Sequence, residues 1–403
     1  MKKTLALALV LLVCLSVFAQ GGKEAAPAAE TKTTKIGFVV IGDENDQGYT
    51  YNFMNGMNAA IAQLKAEGYD VSLSVKRNIQ EDAGCVDANL ALAAEGCSII
   101  FDNSYGFEQY MQQAADEFPN IKFISLTNCG SQVDGRDNTS NAFARIYEGR
   151  YIAGVAAGMK LQEMVDSGKI KADQAVIGYV GAFSFAEVVS GMSAYYLGAR
   201  SVCPSATMLV SFVGSWSDPT LEAEAAQTLI DKGAVMISQH SDNTTPATTA
   251  QKNGVFHTGY NNDMSKVAPN ASLLSCRIDW TKYFHDYIKN EIDGVGNPQD
   301  YVGTMAHGEV VVTPLNTAIA APGTQEAMEK AEKALADGSL QVFDVSKFTV
   351  DGGKTPTNEL LYDSFAAVQG NALHDGAFHE SETQSAPYFV GKIDGITWLN
   401  VAF

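Results

Sequence analysis

"KIGFVVI" (35–41), then "GDENDQGYTYN" (42–52), then "FMNGMNAAI" (53–61) is the stretch that decides the fold. Residues 35–41 form an apolar run of strand length, and the residues after 52 begin a pattern of helical period. A loop that ends a strand and opens a helix is a common ligand position in α/β proteins, and phosphate sites use it often. Here the loop carries Asp43, Glu44 and Asp46, no lysine, and an aromatic residue, Tyr49. That composition argues against phosphate. It leaves an aromatic face and carboxylates as what the loop can offer.

The same alternation continues along the chain. "YDVSLSVKR" (69–77) precedes a helix at 83–94, "GCSIIFDN" (96–103) a helix at 106–117, and "NIKFISLTN" (120–128) ends the series. A second series begins with "NAFARI" (141–146), followed by the helical "YEGRYIAGVAAGMKLQEMV" (147–165). "QAVIGYVG" (174–181) precedes a helix at 186–198, and "ATMLVSFVGSWSD" (206–218) precedes "PTLEAEAAQTLIDKG" (219–233). Pro219 suits a first helical turn, with Asp218 as its cap. "AVMISQHSD" (234–242) and "VFHTGYNND" (255–263) read as further strands. Strands alternating with helices predict parallel sheets covered on both faces. Beyond them, "EVVVTPLN" (309–316) and "QVFDVSKFTV" (341–350) read as strands, 324–337 as a helix, and 361–403 as an irregular extension on the second half.

Composition bounds the rest. With 403 residues the chain suits two domains, and 46% hydrophobic against 18% charged residues describes a packed globular protein. The formal charge of −19 excludes nucleic acid and acidic membrane surfaces as partners. Residues 1–19 read as an export leader, with Lys2-Lys3 before an apolar core and Val17-Phe18-Ala19 before a cut; lipid attachment at Cys14 is the alternative. Residues 20–34 read as a flexible tether. Cys85, Cys97, Cys129, Cys203 and Cys276 match no zinc spacing; Cys85 and Cys97 flank one helix and are either a bridge or two buried thiols. No metal and no cofactor are expected.

Ligands in parallel sheets sit at the carboxyl ends of strands. The loops there carry the aromatics Tyr49, Tyr105, Phe107, Phe183, Phe185, Trp216 and Tyr260. They also carry Asp46, Asn103, Asn128, His240, Asp242, Asn261 and Asp263. Such a cleft favours a flat, neutral or weakly basic ligand stacked on aromatic faces. Asp46 also fits as an organiser of loop backbone, His240 as a structural histidine, and Asp218 as a helix cap. An exported hydrolase using Asp43 with Asp46, or Glu380 with Glu382, is a rival; no nucleophile elbow, HExxH or phosphate-loop motif accompanies it.

"NDQGYTYNFMNGM" (45–57), "EFPNIKF" (117–123), "YEGRYIAGVAAG" (147–158), "GSWSDP" (214–219), "SQHSDNTTPA" (238–247) and "GYNND" (259–263) together resemble the basic membrane protein family, in particular its purine nucleoside receptor (PnrA-like) group. The resemblance runs from about 35 to 337. It implies a two-lobed type I periplasmic binding protein fold, each lobe a parallel sheet flanked by helices. The lobes would be 35–130 with 262–305, and 131–261 with 306–403 including the extension. It implies a monomeric substrate-binding protein, not an enzyme, serving the permease and ATPase of an ABC importer from the periplasm or cell surface. Its ligand would be a purine base or nucleoside stacked between Tyr49 and Trp216. Asp46, Asn103, Thr127, His240, Asp242 and Asn261 complete the expected site, with Asp242 or Asn243 reading the base edge. Family members that bind nucleosides carry acids where this chain has Thr127 and Asn261, and a Lys near Arg277 or Ile278. The lost acids favour a free base such as adenine. Riboflavin is the alternative ligand, and sensing the alternative to transport.

Overall fold

The computed structural model describes residues 33–403. The leader (1–19) and nearly all of the tether (20–34) lie outside the described residues. The chain enters through β1 (Thr34–Val39) and α1 (Tyr49–Ala66), then β2 (Val71–Lys76), α2 (Ala83–Ala94), β3 (Ile99–Asp102), α3 (Glu108–Glu117), β4 (Lys122–Leu126) and β5 (Thr139–Ala144). Next come α4 (Ile146–Asp166), β6 (Val176–Gly181), α5 (Ala186–Val202), β7 (Thr207–Phe212) and α6 (Pro219–Asp231). β8 (Met236–His240), α7 (Thr245–Asn253), β9 (Phe256–Tyr260), β10 (Ser272–Ile278) and α8 (Thr281–Asp293) follow. β11 (Asp300–Gly303), β12 (Val310–Val312) and α9 (Thr324–Ala336) precede the extension, which holds α10 (Asn358–Leu361), β13 (Leu373–His374), β14 (Ala377–Phe378) and β15 (Ile396–Trp398).

Two large sheets result. The first runs β11-β5-β4-β3-β1-β2, and every pair in it is parallel. The second runs β12-β10-β9-β8-β6-β7-β15, parallel except at the β12 edge. Helices cover both, as the alternating pattern requires.

Sheet membership moves two of the expected lobe boundaries. Residues 139–144 pair with β4 in the first sheet, so the chain crosses over after 144 rather than after 130. The loop 127–138 is a fixed return. Glu108 accepts from Gly130 N–H (2.8 Å), Ser131 N–H (2.8 Å) and Asn141 Nδ2 (2.7 Å), which pins the loop to α3. Residues 272–278 join the second sheet, so the return comes after 278 rather than after 261. Among residues 341–350 only isolated bridges occur, at Asp344 and Val350, in place of the expected strand. Cys85 and Cys97 are free buried thiols.

Local signals hold elsewhere. The Asp218 carboxylate accepts from Thr220 and Leu221 N–H, both at 2.9 Å, and caps α6 ahead of Pro219. A Cβ at Gly154 would strike the Tyr195 carbonyl, so the small residues of α4 let it lie backbone to backbone on α5. The extension does pack on the second sheet, through β15 beside β7. It also reaches the first sheet, where Gln132 Nε2 in the loop after β4 donates to Thr383 O (3.1 Å) and Ser385 N–H to the Asp300 carboxylate at the start of β11 (2.7 Å).

Candidate functional site

Carboxyl ends of strands from both sheets converge on one pocket. Ile41 lies beyond β1, Ser104 and Tyr105 beyond β3, and Glu187 in the first turn of α5 after β6. Trp216 lies beyond β7, His240 ends β8 with Asp242 just after it, and Tyr260 ends β9. Tyr49, at the start of α1, completes the wall. The walls lie close: the enclosed space is about 10 Å³, roughly room for one water. On its outer side a groove of about 590 Å³ shares Ile41, Trp216 and Asp242 with the pocket, so the Trp216 indole stands between the two.

Aromatic rings seam the two halves together. Tyr105 stacks on Phe185 (centroids 5.5 Å apart, 16° between planes). Phe185 stacks on Phe183 (5.1 Å, 11°), and Phe183 meets Trp216 edge-on (5.0 Å, 65°). Tyr49 is set differently. Its hydroxyl donates to the Asn103 carbonyl (2.6 Å) and its ring packs edge-on against Phe53 (4.8 Å), which fixes it in the core.

The acids divide by their partners. Asp46 accepts from Gly48 N–H (2.9 Å), Thr50 N–H (2.7 Å) and Tyr51 N–H (3.0 Å), the unpaired donors at the start of α1. Burial raises its pKa and those three bonds pull it back. Asp242 donates its N–H to the Trp216 carbonyl (2.9 Å), yet its carboxylate has no hydrogen bond among the described residues. Burial, then Asp46 and Glu222 nearby, push its pKa well up. Glu222 holds that loop in place, accepting from Ser241 Oγ (2.7 Å), Asn243 Nδ2 (2.5 Å) and Asp218 N–H (3.0 Å). A Cβ at Gly48 would collide with the Asp242 carbonyl, so glycine there permits the two halves to meet.

Behind the pocket lies a buried network. Burial lifts the Glu187 pKa to about 8 and pushes that of His240 well down. Both shifts favour the neutral forms near pH 7, which makes their 3.4 Å contact a hydrogen bond between neutral groups and not an ion pair. The Arg150 guanidinium lies 3.6 Å over the Tyr260 ring and donates through Nη1 to the Gln239 carbonyl (2.7 Å). Its Nε and Nη2 have no partner among the described residues.

Of the eight residues singled out in the sequence, Tyr49, Trp216, His240 and Asp242 line the pocket. Asp46 faces the outer groove from the α1 start. Asn103 stands behind Tyr49, its Oδ1 accepting from Ile41 N–H (3.0 Å). Thr127 is buried with a φ of +97°, a genuine outlier for a β-branched residue. Asn261 (φ +64°) lines a separate groove with Asn55, Lys266 and Arg277, not the aromatic pocket. Glu187 was missed altogether. An acid in a first helical turn is what the helix dipole favours anyway, so the sequence carries no sign of its second setting.

Two parallel sheets with a pocket between their carboxyl ends, closed across an aromatic seam, define the periplasmic binding protein class of solute receptors. The fold is shared with an ABC transporter solute-binding protein from Aeropyrum pernix (TM-score 0.62, 13% identity, 80% of this chain and 94% of that one). It is shared also with one from Conexibacter woesei (TM-score 0.58, 20% identity, 77% and 98%). The chain belongs to the Bmp family of PnrA-like ABC transporter substrate-binding proteins, whose model matches residues 33–339. A purine-binding protein of Brucella abortus is 32% identical over 309 residues, covering 77% of this chain and 83% of that protein. The family is one of transporter receptors and not of enzymes. Among the described residues no helix is long and apolar enough to cross a membrane.

Proposed function

We propose that the chain is the purine receptor of an ABC importer, with the base held between Tyr49 and Trp216. The observation that carries the reading is the Asp242 carboxylate, which borders the aromatic pocket without a hydrogen bond among the described residues. Aromatic faces satisfy the rings of a purine, and a carboxyl group satisfies its N–H edge. The kinship with a purine-binding protein supports the same ligand class. Binding requires Trp216 to swing from Tyr49 and reclose, which ligand contacts from both halves would drive. Absence of acids at Thr127 and Asn261 favours a free base over a nucleoside. Export through the leader at 1–19, or lipid attachment at Cys14, would bring the receptor to permease and ATPase partners as a monomer.

A thermal-shift screen with adenine, guanine, adenosine, guanosine, inosine and riboflavin tests this. A true ligand at a hundred times its Kd stabilises by about 2.7 kcal/mol. A purine is expected to raise the midpoint, and a base more than its nucleoside. If no purine shifts it and riboflavin does, the purine reading is lost.

A further inference from the structure

The extension contains a hairpin that the binding function does not use. β13 and β14 pair antiparallel across Asp375 (φ +49°) and Gly376 (φ +80°), two successive left-handed residues of the kind a tight two-residue hairpin needs. His374 stands just before the turn. His379 follows β14 directly, and Glu382 comes three residues later. One donor atom from each of these three side chains lies within 4.8 Å of the other two. The imidazoles are parallel, with centroids 3.9 Å apart and 6° between planes, and His374 Nε2 lies 2.7 Å from a Glu382 oxygen.

The surroundings orient both rings. His374 Nδ1 lies 3.3 Å from the Asp375 carboxylate and Nε2 2.7 Å from Glu382, so both nitrogens face carboxylates and a metal at Nε2 takes the place of a proton. His379 Nε2 lies 3.2 Å from the His374 carbonyl, so it is the donor there and Nδ1 keeps its lone pair. A carboxylate or carbonyl behind each imidazole is how proteins orient histidines that bind a metal. The backbone is held as well. The Tyr388 hydroxyl donates to the His379 carbonyl (2.5 Å) and accepts from Glu382 N–H (3.0 Å). Buried Glu380, between them, accepts from Ser190 Oγ (2.6 Å) and Phe389 N–H (3.0 Å).

We propose that His374, His379 and Glu382 form a binding site for a divalent transition metal, with Zn²⁺ the ion whose ligand preference they match. Two imidazole nitrogens and one carboxylate leave a fourth, open position to water. Zinc–nitrogen bonds of about 2.0–2.1 Å place tetrahedral ligands about 3.3 Å apart. The lone pairs of two stacked rings run parallel, so binding turns the exposed His374 ring about its Cβ–Cγ bond until its lone pair and those of His379 and Glu382 converge. The ion would brace the strap that crosses from Glu380, whose carbonyl accepts from the Tyr147 hydroxyl (3.0 Å), to Thr383 and Ser385 against the first sheet.

Titration of the chelator-treated full chain with ZnCl₂ by calorimetry tests the site. One equivalent is expected with micromolar or tighter affinity, weakened at least tenfold in each of His374→Ala, His379→Ala and Glu382→Gln. Co²⁺ should give a visible absorption band in the wild type that these variants lose. His285→Ala, at the other surface His–carboxylate cluster with Glu67 and Asp286, should leave both signals intact. His374→Ala, at a partly exposed side chain, guards against misfolding, and circular dichroism confirms each variant's fold. No uptake by the wild type, unchanged uptake in all three variants, or loss in His285→Ala overturns the proposal.

Discussion

Asp46 and Asp242 both follow the carboxyl end of a parallel strand, both face the outer groove, and burial raises both pKa values. They differ in what the backbone gives them. Asp46 meets three N–H groups at the start of α1, and its lone pairs are spent on the fold. Asp242 has a loop built under it by Glu222 and a carboxylate left without a hydrogen bond among the described residues. The same residue type in a strand-end loop of each sheet is a cap in one and an open acceptor in the other. An acid near a pocket says little until its donors are counted.

The sharpest way to break this comparison is to remove each acid in turn. Under the proposed function, Asp242→Ala weakens purine binding about fivefold to a hundredfold, since leaving a buried N–H of the base without its acceptor costs about 1–3 kcal/mol. It leaves the ligand-free protein as stable as before or more so, because an unpaired buried carboxyl is gone. Calorimetric titration and urea unfolding separate the two effects. A weakened fold with unchanged affinity would make Asp242 structural.

Trp216→Ala comes next. Stacking on one aromatic face is worth about 1–3 kcal/mol, so purine affinity should fall at least tenfold. Tyr49→Phe sharpens the test from the other wall: it keeps the face and deletes only the bond to the Asn103 carbonyl. Fluorescence or calorimetric titration showing unchanged affinity in Trp216→Ala would take the indole out of the site.

Asp46→Ala should do the reverse of Asp242→Ala. Losing an N-terminal cap costs about 1–2 kcal/mol of stability, read by urea unfolding, while purine affinity in the folded protein stays within about threefold. A larger effect on affinity than on stability would erase the distinction between the two aspartates.

How much of this was legible in the sequence follows from what each feature depends on. β1, α2 and the Asp218–Pro219 start of α6 rest on local pattern and capping, and they lie where the pattern places them. The crossover points depend on which sheet a strand joins, a long-range choice that nothing local in the strands at 139–144 and 272–278 decides. Tyr49, Trp216, His240 and Asp242 were found because strand-end loops are a positional rule. Asn261 followed the same rule and faces another groove, one residue past pocket-lining Tyr260. Glu187 was hidden because its helix start accounts for it completely until His240 is brought against it.

Glu187 extends the comparison to a third acid, with neither backbone donors nor an exposed edge. Its folded pKa of about 8 lies above the ordinary carboxylate value of 4.5, mainly through burial, so the folded state holds the proton more tightly than the unfolded chain. The stabilising contribution is full below about pH 4.5 and is lost as pH rises through about 8. Glu222 and Glu380, lifted to about 7, follow the same trend, so the wild type alone cannot report on Glu187. The difference between wild type and Glu187→Gln can, because the amide keeps shape and polarity and does not ionise. Urea unfolding at about pH 5 and about pH 8 should show the wild type losing more stability than the variant, by more than about 1 kcal/mol. Parallel losses would mean that Glu187 ionises in the folded protein as freely as in the unfolded chain. In that case the contact with His240 is an exposed ion pair, and the closed pocket wall in front of it opens far more than its packing suggests.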